Sequence, residues 1–459
     1  MDTTRADHLS HAGWKNDTTP NLSRLLDDAV LYSQARSVAT WTLPAHMSMF
    51  TGLLPGEHRA TWAAMDAGGP TDFVSVMRHP FQPPFPERML ASVLKERGYN
   101  TVGVSSNPWV SRRTGFHLGF DALYPVWRSE SLPDSQLPAS PLELSFSPEL
   151  AASAAGKALL AFNYHLRGHG LEKPCFLFFN FIDPHYPYVA DGEKGIEFGG
   201  DRQFFRSMEN SATRKKEIDI MAHAETIDFE ELVPFYDSSI HRADWAVGEL
   251  LSWLERHDLY DDTLIIVTSD HGEHLGEQGR FSHQFSVEEE LLRVPLIIKY
   301  PGSRGGGAVD DNPFASVADV YATILTAVDG AEDPASYSRD LRQGFDRPYA
   351  VAEYYFSDSF LRRFLRSNKD FDVESHRTIL RVIYAGRRKY VFKDDALEGV
   401  DALASGLPRD EELEIRMTEW MQRYIASNEP VRRGPGLPAH MDAQNHEFIE
   451  ALRALGYVR

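Results

Sequence analysis

Apolar runs and helical spacings alternate along the first 345 residues of the chain. Three segments begin with apolar runs, at 175–185, 263–273 and 294–302, and the more mixed segment 99–107 also has the pattern of a strand. Segments with the spacing of an amphipathic helix lie among them, at 21–30, 89–98 and 243–259. Apolar strands that alternate with helices are typical of a parallel sheet covered on both faces. The pattern therefore predicts an α/β fold with a mostly parallel sheet sandwiched by helices.

The pattern changes near residue 346. Two strand-like runs, the second with a turn at Gly386, are followed by a helical segment and a short amphipathic end: 347–356, 377–395, 411–427 and 446–459. We therefore predict a main domain over residues 1–345 and a smaller α+β subdomain over residues 346–459. Residues 190–235, rich in Gly, charge and Met, interrupt the alternation and are predicted to form a lid or a substrate loop.

Composition limits the classes of function. The 459 residues can bury a large core, and a hydrophobic content of 42% is far from that of disordered chains. The net charge is −20 with no basic stripe, which argues against nucleic-acid binding. A single cysteine, Cys175, excludes an internal disulfide framework. Because neither a long apolar span nor a signal-peptide pattern is seen, we expect a cytoplasmic protein without a membrane span.

Four polar clusters contain residue types that bind metals or act as nucleophiles. They are Asp2; Thr42 with His46; Asp183 with His185; and Asp270 with His271 and His283. Taken singly, Asp2 suits a turn, and Asp183 before Pro184 suits the end of a strand. Asp270 and His271 follow an apolar strand, where an adjacent carboxylate and imidazole make a pair of metal ligands. Since functional groups gather at the carboxyl ends of parallel strands, we expect the clusters to converge.

Together these motifs resemble one known family. The segment TSDHGEHLGEQGRFSHQFSVEEELLRVPLII (268–298) is similar to the C-terminal metal motif of the sulfatase family in the alkaline phosphatase superfamily. Further segments match in the same order: DTTRADHLS, TPNLSRLLDDAVLYSQARS, the Thr42 motif with FTGLLPGEH, NFIDPHYPY and ALRALGYV. The resemblance covers nearly the whole chain. It implies an alkaline-phosphatase-like fold and a catalytic main domain that hydrolyses esters with the help of a metal.

The chain departs from that family at the nucleophile. The family converts Cys or Ser of a Cys/Ser-x-Pro-x-Arg motif into formylglycine, whereas residues 42–46 read TLPAH. Formylglycine does not form from Thr, but the related lipoteichoic acid synthases and phosphoethanolamine transferases use a metal-bound Thr. The resemblance therefore implies Thr42 as the nucleophile, with Thr40 as a rival hydroxyl. Pro44 suits the first turn of a helix, which would place Thr42 at an N-terminus that favours anions.

The resemblance also implies a metal centre. The expected ligands of one divalent cation, Ca, Mg, Mn or Zn, are Asp2, Thr42, Asp270 and His271. In phosphoethanolamine transferases a His at a spacing comparable to that of His283 joins a second zinc, so a second metal is compatible with the pattern.

Three histidines and an asparagine complete the expected site. His185 and His283 match family positions that contact the bound oxyanion or its leaving group, and His46 replaces the family Arg as a catalytic candidate. Asn107 resembles an oxyanion contact, and a turn-forming Asn suits the same position. Asp183 is expected mainly to shape the turn that presents His185.

The expected substrate is a small-molecule, glycan-derived or lipid-derived sulfate or phosphate ester. A Thr sulfate cannot eliminate sulfate as a formylglycine hemiacetal does, whereas a Thr phosphate is turned over by in-line attack. The chemistry therefore favours phosphate esters, and the family favours sulfate esters. The alternatives are a phosphoryl-group transferase acting on lipid or glycan head groups and a catalytically silent binding protein. The retained Thr42, His185, Asp270 and His271 argue against the silent protein.

The start of the chain raises a separate expectation. In the family the metal-binding Asp follows the first apolar strand, whereas here only Met1 precedes Asp2. A carboxylate on a frayed terminus would bind a metal poorly. We therefore expect the functional protein to carry an additional upstream strand, unless Asp2 docks without one.

The acidic surface suits two interpretations, adaptation to high salt or an ordinary acidic cytosolic protein, and the first can be tested. Only 11 of the 47 basic residues are Lys, and salt screens the mutual repulsion of surface carboxylates. We therefore expect the melting temperature to be higher in molar KCl than at low ionic strength. A melting temperature that does not rise between the two conditions would contradict a halophilic surface.

Overall fold

The computed structural model describes residues 1–62, 81–127, 152–188, 197–200, 217–224, 227–303, 306–330, 336–343, 347–403 and 407–428. The amphipathic helix predicted at 446–459 and most of the lid or substrate loop predicted at 190–235 lie outside these stretches. None of the helices that they contain is both long and apolar enough to cross a membrane.

Strands and helices follow one another through most of the chain. The strands are β1 Val30–Tyr32, β2 Asn100–Ser105, β3 Ala122–Pro125, β4 Cys175–Asn180, β5 Ile265–Thr268, β6 His274–Leu275, β7 Phe281–Ser282, β8 Leu296–Lys299, β9 Ala308–Asp310, β10 Tyr349–Tyr354, β11 Leu380–Ala385, β12 Arg388–Lys393 and β13 Ala396–Ala402. The helices are α1 Pro20–Leu25, α2 Thr42–Thr51, α3 Pro55–His58, α4 Leu90–Glu96, α5 Ala154–His169, α6 Glu217–Met221, α7 Val233–Arg256, α8 Glu289–Leu292, α9 Asp319–Asp329, α10 Asp358–Ser367, α11 Val373–His376 and α12 Glu411–Asn428.

Two sheets form the centre of the main domain. One has the order β3-β2-β4 with all pairs parallel. The other has the order β5-β8-β1-β9, in which only β1 and β9 are parallel. The predicted α/β architecture is therefore confirmed, with a finer difference at β8, which runs antiparallel to β5. A parallel neighbour needs a long crossover, but the chain between β5 and β8 forms the hairpin β6-β7, with a 3-10 turn at Glu277–Gly279, and the single-turn helix α8.

The first two residues join these sheets. The amino group of Met1 donates to the carbonyl oxygen of Thr268 at the end of β5, at 2.8 Å. The main-chain N–H of Asp2 donates to the carbonyl oxygen of Phe181, just after β4, also at 2.8 Å. Asp2 is fully buried, so it docks firmly at the carboxyl ends of both strands. The upstream strand stays a prediction.

Helix α2 is buried on every side. Extended backbone at Trp41 precedes it, Pro44 lies in its first turn, and Gly52 ends it at a φ of 70°. A β-carbon at Gly52 would lie 2.3 Å from the hydroxyl oxygen of Ser336, so both the conformation and the packing require glycine. Apolar neighbours surround the helix, among them the stacked rings of Trp41 and Trp62. The start of α2 is therefore held in one place.

The C-terminal strands form a separate antiparallel sheet, β10-β11-β12-β13. The predicted turn at Gly386 connects β11 to β12. Glu353 of β10 links this sheet to the region of α2, because its carboxylate accepts from the N–H of Gly56 at 3.1 Å and from the hydroxyl of Tyr424 at 2.6 Å. Its own N–H donates to the carbonyl oxygen of Val38 at 2.8 Å. The subdomain thus supports the segments on both sides of α2.

Candidate active site and metal centre

Residues from four distant parts of the chain meet at the carboxyl ends of the central strands. Asp2 follows the docked terminus, Asn107 lies two residues after β2, and Asp270 and His271 lie two and three residues after β5. Thr42 begins α2 beside them. The structure therefore brings these residues together, as the sequence led us to expect.

Three of the expected metal ligands, Asp2, Asp270 and His271, are each held by a hydrogen bond to one of their two polar side-chain atoms. Asp2 Oδ2 accepts from Asn107 Nδ2 at 2.6 Å. Asp270 Oδ1 accepts from the N–H groups of Thr3 and His271 at 3.2 and 3.0 Å. His271 Nδ1 lies 2.9 Å from the carbonyl oxygen of Gly272. A carbonyl can only accept, so Nδ1 carries the proton and Nε2 keeps its lone pair.

The other atom of each pair has no hydrogen-bond partner. Asp2 Oδ1, Asp270 Oδ2 and His271 Nε2 are buried and unpaired, and they lie within 4.8 Å of one another. His271 Nε2 is 3.5 Å from Asp270 Oδ2 and 4.0 Å from Asp2 Oδ1. Buried carboxylate oxygens without a partner carry a large desolvation cost. Two carboxylates and an imidazole that converge in this way fit a divalent cation.

The pKa values of Asp2 and Asp270 also indicate that these carboxyl groups require a cation. Burial and the neighbouring carboxylate of Asp270 raise the pKa of Asp2 above its usual value. The pKa of Asp270 is lowered despite its burial, because His271, His46 and the terminal amino group stabilise its charge. A divalent cation between the two carboxylates would satisfy both.

The turn that carries His271 requires glycine at the next position. A β-carbon at Gly272 would lie 1.9 Å from the carbonyl oxygen of Glu290. The N–H of Gly272 donates to the carbonyl oxygen of Leu291 at 2.8 Å. Helix α8 therefore lies directly against this turn and fixes the direction of the imidazole.

Thr42 is the hydroxyl next to this group. Asn107 Nδ2 donates to Thr42 Oγ1 at 3.2 Å as well as to Asp2. The amide is oriented by the N–H of Trp109, which donates to Asn107 Oδ1 at 2.8 Å. Asn107 thus bridges the Thr42 hydroxyl and a metal-ligand candidate. Thr40 Oγ1 is buried and makes no hydrogen bond, so it has none to Asp2, Asn107, Asp270 or His271.

His46 lies one helical turn after Thr42. Its Nδ1 is 3.0 Å from the carbonyl oxygen of Thr42 and 3.4 Å from Asp270 Oδ2. Its Nε2 is 3.5 Å from Asn180 Nδ2. Burial lowers the pKa of His46, and the carboxylates of Asp270 and Asp2 oppose this shift. These contacts suit a residue that positions Thr42 and Asp270.

A second group of possible metal ligands adjoins the first. His185 follows the turn after β4, His283 follows β7, and Glu217 begins α6. Their ligand atoms lie within 4.8 Å of one another, and all three residues are buried. The ring centroids of His283 and His271 are 4.5 Å apart. The two histidines were predicted from the sequence, but Glu217 was not.

Glu273 is a further buried carboxyl group that was not singled out. It lies in the quoted motif two residues after His271 and accepts a hydrogen bond from the hydroxyl of Tyr188. Burial raises the pKa of Glu273 to about 8. The position of Glu273 within the quoted motif could have identified it from the sequence. Glu217, in the charged segment RKKEIDI, offered no such signal.

Comparison with known proteins assigns the chain to a family. The family model described as Sulfatase matches residues 1–331. The chain therefore belongs to the sulfatase family, as its motifs predicted.

Curated relatives include sulfatases and a member of the wider superfamily. The ulvan-active sulfatase of Formosa agariphila is 25% identical over 331 residues, which is 69% of this chain and 58% of that protein. The multifunctional alkaline phosphatase superfamily protein PehA of Trinickia caryophylli is 26% identical over 392 residues, 74% of this chain and 75% of PehA. The chain therefore spans just over half the length of the first relative.

Solved structures confirm the fold. The phosphonate monoester hydrolase SpPMH from Silicibacter pomeroyi superposes with a TM-score of 0.60 at 20% identity, covering 93% of this chain and 94% of that one. BT1596, a 2-O GAG sulfatase, superposes with a TM-score of 0.64 at 14% identity and covers 96% of both chains. The predicted alkaline-phosphatase-like architecture is thus confirmed, and the predicted enzyme class, ester hydrolase, agrees with the names of these relatives.

The buried carboxyl group of Asp183, in the turn before His185, predicts how the stability of the protein depends on pH. Burial raises the pKa of Asp183 from 3.8 to about 6, against the opposing effects of Arg242 and of the Ala155 N–H at the start of α5. The pKa of Asp183 is higher in the folded than in the unfolded protein. Its contribution to the free energy of unfolding is therefore fully present below pH 3.8 and is lost as the pH rises through 6. The full loss corresponds to roughly 3 kcal/mol.

We therefore expect Asp183→Asn to gain stability relative to the wild type as the pH rises from about 4 to 7, because asparagine does not ionise. Urea unfolding of both proteins at pH 4.5 and 7.5 measures this difference. Asp258→Asn, at an exposed position, is the control for the loss of a carboxylate. A stability difference between Asp183→Asn and the wild type that does not change with pH would contradict the prediction.

Proposed function

We propose that the chain is a metal-dependent hydrolase of sulfate or phosphate esters in which Thr42 is the nucleophile. The observation that carries the proposal is the set of three buried, unpaired ligand atoms on Asp2, Asp270 and His271, next to a hydroxyl that Asn107 connects to Asp2. A threonine that only began a helix would not need three buried, unpaired ligand atoms beside it.

The cation would lower the pKa of the Thr42 hydroxyl and withdraw electrons from the ester group. The chain supplies the remaining functions. Asn107 Nδ2 holds Thr42 Oγ1 in place at 3.2 Å. The first turn of α2 offers the main-chain N–H groups of Thr42 and Leu43, because a helix leaves its first N–H groups without intrahelical partners. Pro44 has no N–H, and the N–H of Ala45 donates to the carbonyl oxygen of Trp41 at 3.4 Å. No side chain caps this end of α2, so an anionic ester oxygen suits it.

The reaction proceeds in two displacements. In the first, Thr42 Oγ1 gives up its proton and forms a bond to phosphorus or sulfur, while the bond to the leaving oxygen breaks and that oxygen takes up a proton. In the second, water attacks the Thr42 ester, restores the hydroxyl and releases the inorganic anion. Each displacement leaves an oxygen that must be protonated or otherwise neutralised.

The family resemblance implies that His185 and His283 contact the bound oxyanion or its leaving group. Burial opposes the charged form of His185, but the carboxyl groups of Glu217, Asp2 and Glu273 raise the pKa of its imidazole above the usual value. Burial and the neighbouring His271 and His185 hold the pKa of His283 well below its usual range. In this pair His185 is the better proton donor, and the neutral His283 provides a hydrogen bond.

The chemistry of Thr42 favours phosphate esters over sulfate esters. A Thr ester cannot be released by elimination, so its turnover depends on attack by water at phosphorus or sulfur, which metal-assisted phosphoryl transfer achieves readily. The relatives named above include an ulvan-active sulfatase and a multifunctional alkaline phosphatase superfamily protein. A sugar or lipid ester is therefore the substrate class that we propose to test first.

The nucleophile is tested by replacing both threonines. With Mn²⁺, Zn²⁺, Mg²⁺ or Ca²⁺, we expect hydrolysis of p-nitrophenyl phosphate, bis-p-nitrophenyl phosphate or p-nitrophenyl sulfate. Thr42→Ala should lower kcat at least about a thousandfold, as loss of a nucleophile does. Thr42→Ser should retain measurable turnover because it keeps a hydroxyl.

Thr40→Ala is the matched control, since it removes a buried hydroxyl two residues away, and it should keep most of the activity. Full activity of Thr42→Ala together with loss of activity in Thr40→Ala would assign the reaction to the other hydroxyl. Transfer of the phosphoryl group to an added alcohol without hydrolysis would favour the transferase.

A further inference from the structure

Two histidines lie one turn apart at the end of helix α5. His165 and His169, in the sequence HLRGH, occupy positions i and i+4, so their side chains lie on the same face of the helix. Their ring centroids are 5.2 Å apart, and the ring planes are inclined by 34°. Two histidines at this spacing on one helical face are an arrangement that binds Zn²⁺ in other proteins.

The pair lies away from the candidate active site. His169 is the last residue of α5, and β4 begins at Cys175 after a short connection. The end of α5 therefore lies near the amino end of β4, whereas Asp2 docks just past the carboxyl end of that strand. The proposed function does not account for these two histidines.

A tyrosine of the neighbouring strand orients the inner histidine. His165 is 4% exposed, and its Nδ1 lies 3.0 Å from the hydroxyl oxygen of Tyr124 in β3. When Nδ1 carries the proton, it donates to this oxygen, and Nε2 keeps its lone pair. Metal-binding histidines usually make such a hydrogen bond through their second ring nitrogen. With the described residues, His165 Nε2 and the ring nitrogens of the exposed His169 make no hydrogen bond.

The charge and the position of the pair favour a metal ion over two protons. Burial and the neighbouring His169 both lower the pKa of His165, which favours the neutral imidazole that metals bind. The last carbonyl groups of a helix lack intrahelical N–H partners, and the helix dipole places partial negative charge there. Because His169 ends α5, a cation held by the pair would also be stabilised by this end of the helix.

We propose that His165 and His169 bind a divalent ion of the late first-row transition metals, Ni²⁺, Cu²⁺ or Zn²⁺, with Tyr124 orienting His165. Imidazole ligands favour these ions, whereas Mg²⁺, Ca²⁺ and Mn²⁺ prefer oxygen ligands. The ion links the exposed His169 to the buried His165 and holds the last turn of α5 beside β3. The site goes beyond the proposed function and does not depend on it, because the two share no ligand.

The number of bound Cu²⁺ ions tests the proposal, since nitrogen ligands bind Cu²⁺ more tightly than Ni²⁺ or Zn²⁺. The full chain is freed of metal with a chelator, equilibrated with Cu²⁺ by dialysis and analysed for metal and protein. We expect His169→Asn to bind one equivalent less than the wild type. His169 is exposed, so the variant should keep the melting temperature of the metal-free wild type. Equal binding by the two proteins would overturn the proposal.

His257→Asn is the matched control. His257 is exposed and directly follows the last residue of α7, but the residue one turn before it is Trp253. This variant should therefore bind as much Cu²⁺ as the wild type. A loss equal to that of His169→Asn would mean adventitious binding by single surface histidines and would overturn the site.

Tyr124→Phe tests the orienting contact, because it removes the hydroxyl and keeps the ring. The affinity for the equivalent that His169→Asn removes should fall roughly tenfold, as it does when the second contact of a metal-binding histidine is lost. Dialysis over a range of Cu²⁺ concentrations measures this affinity. An unchanged affinity would overturn the part of the proposal that assigns Tyr124 to the site.

A double variant separates this site from the proposed metal centre. Adding His169→Asn to Asp270→Asn should again remove one equivalent of Cu²⁺, since the two sites are independent. No further loss in the double variant would assign the equivalent to the metal centre and overturn the proposal. The expected losses in a protein that hydrolyses no ester would support this site and contradict only the proposed function.

Discussion

The structure depends on one electrostatic constraint, the burial of Asp2 and Asp270 beside each other without a cationic side chain between them. Two buried carboxylates at such a distance repel strongly in a medium that screens charge less than water. The main-chain and amide hydrogen bonds from Thr3, His271 and Asn107 satisfy one oxygen of each carboxylate. The remaining oxygens and His271 Nε2 stay unpaired. A divalent cation is the simplest partner that satisfies all three atoms.

The fold holds these atoms in place through segments that are themselves tightly constrained. The docked N-terminus joins β4 to β5, Gly272 lets the His271 turn pass against α8, and α2 is enclosed by the main core. The C-terminal sheet adds support through Glu353, which bonds to Gly56. The ligand positions are therefore set by the whole fold, which is how a metal centre keeps its geometry before the metal binds.

The sequence predicts those features of the fold and of the site that depend on residues close together in the chain. Asp270 and His271 end an apolar strand, so their place at a sheet edge follows from the pattern alone. Thr42 and Asn107 were identified through the family motifs, and the structure brings both to the same point. The helix at 411–427 and the turn at Gly386 follow from local periodicity and turn chemistry.

The features that the sequence did not predict are those that depend on distant contacts. Glu217 approaches His185 and His283 only through the packing of α6 against β7 and α10, and no spacing rule connects it to them. The antiparallel direction of β8 follows from a connection that lacks a crossover helix, which an apolar run does not reveal. The bridging role of Asn107 depends on the N–H of Trp109, which orients its amide.

The central claim is that Asp2, Asp270 and His271 hold a divalent cation beside Thr42. A crystal of the protein grown with Mn²⁺ and measured at the manganese absorption edge tests it most directly. The account predicts an anomalous peak about 2 to 2.5 Å from Asp2 Oδ1, Asp270 Oδ2 and His271 Nε2, with Thr42 Oγ1 next to it. A fully loaded protein with no peak there, or with those three atoms bonded to other protein groups, would contradict the account.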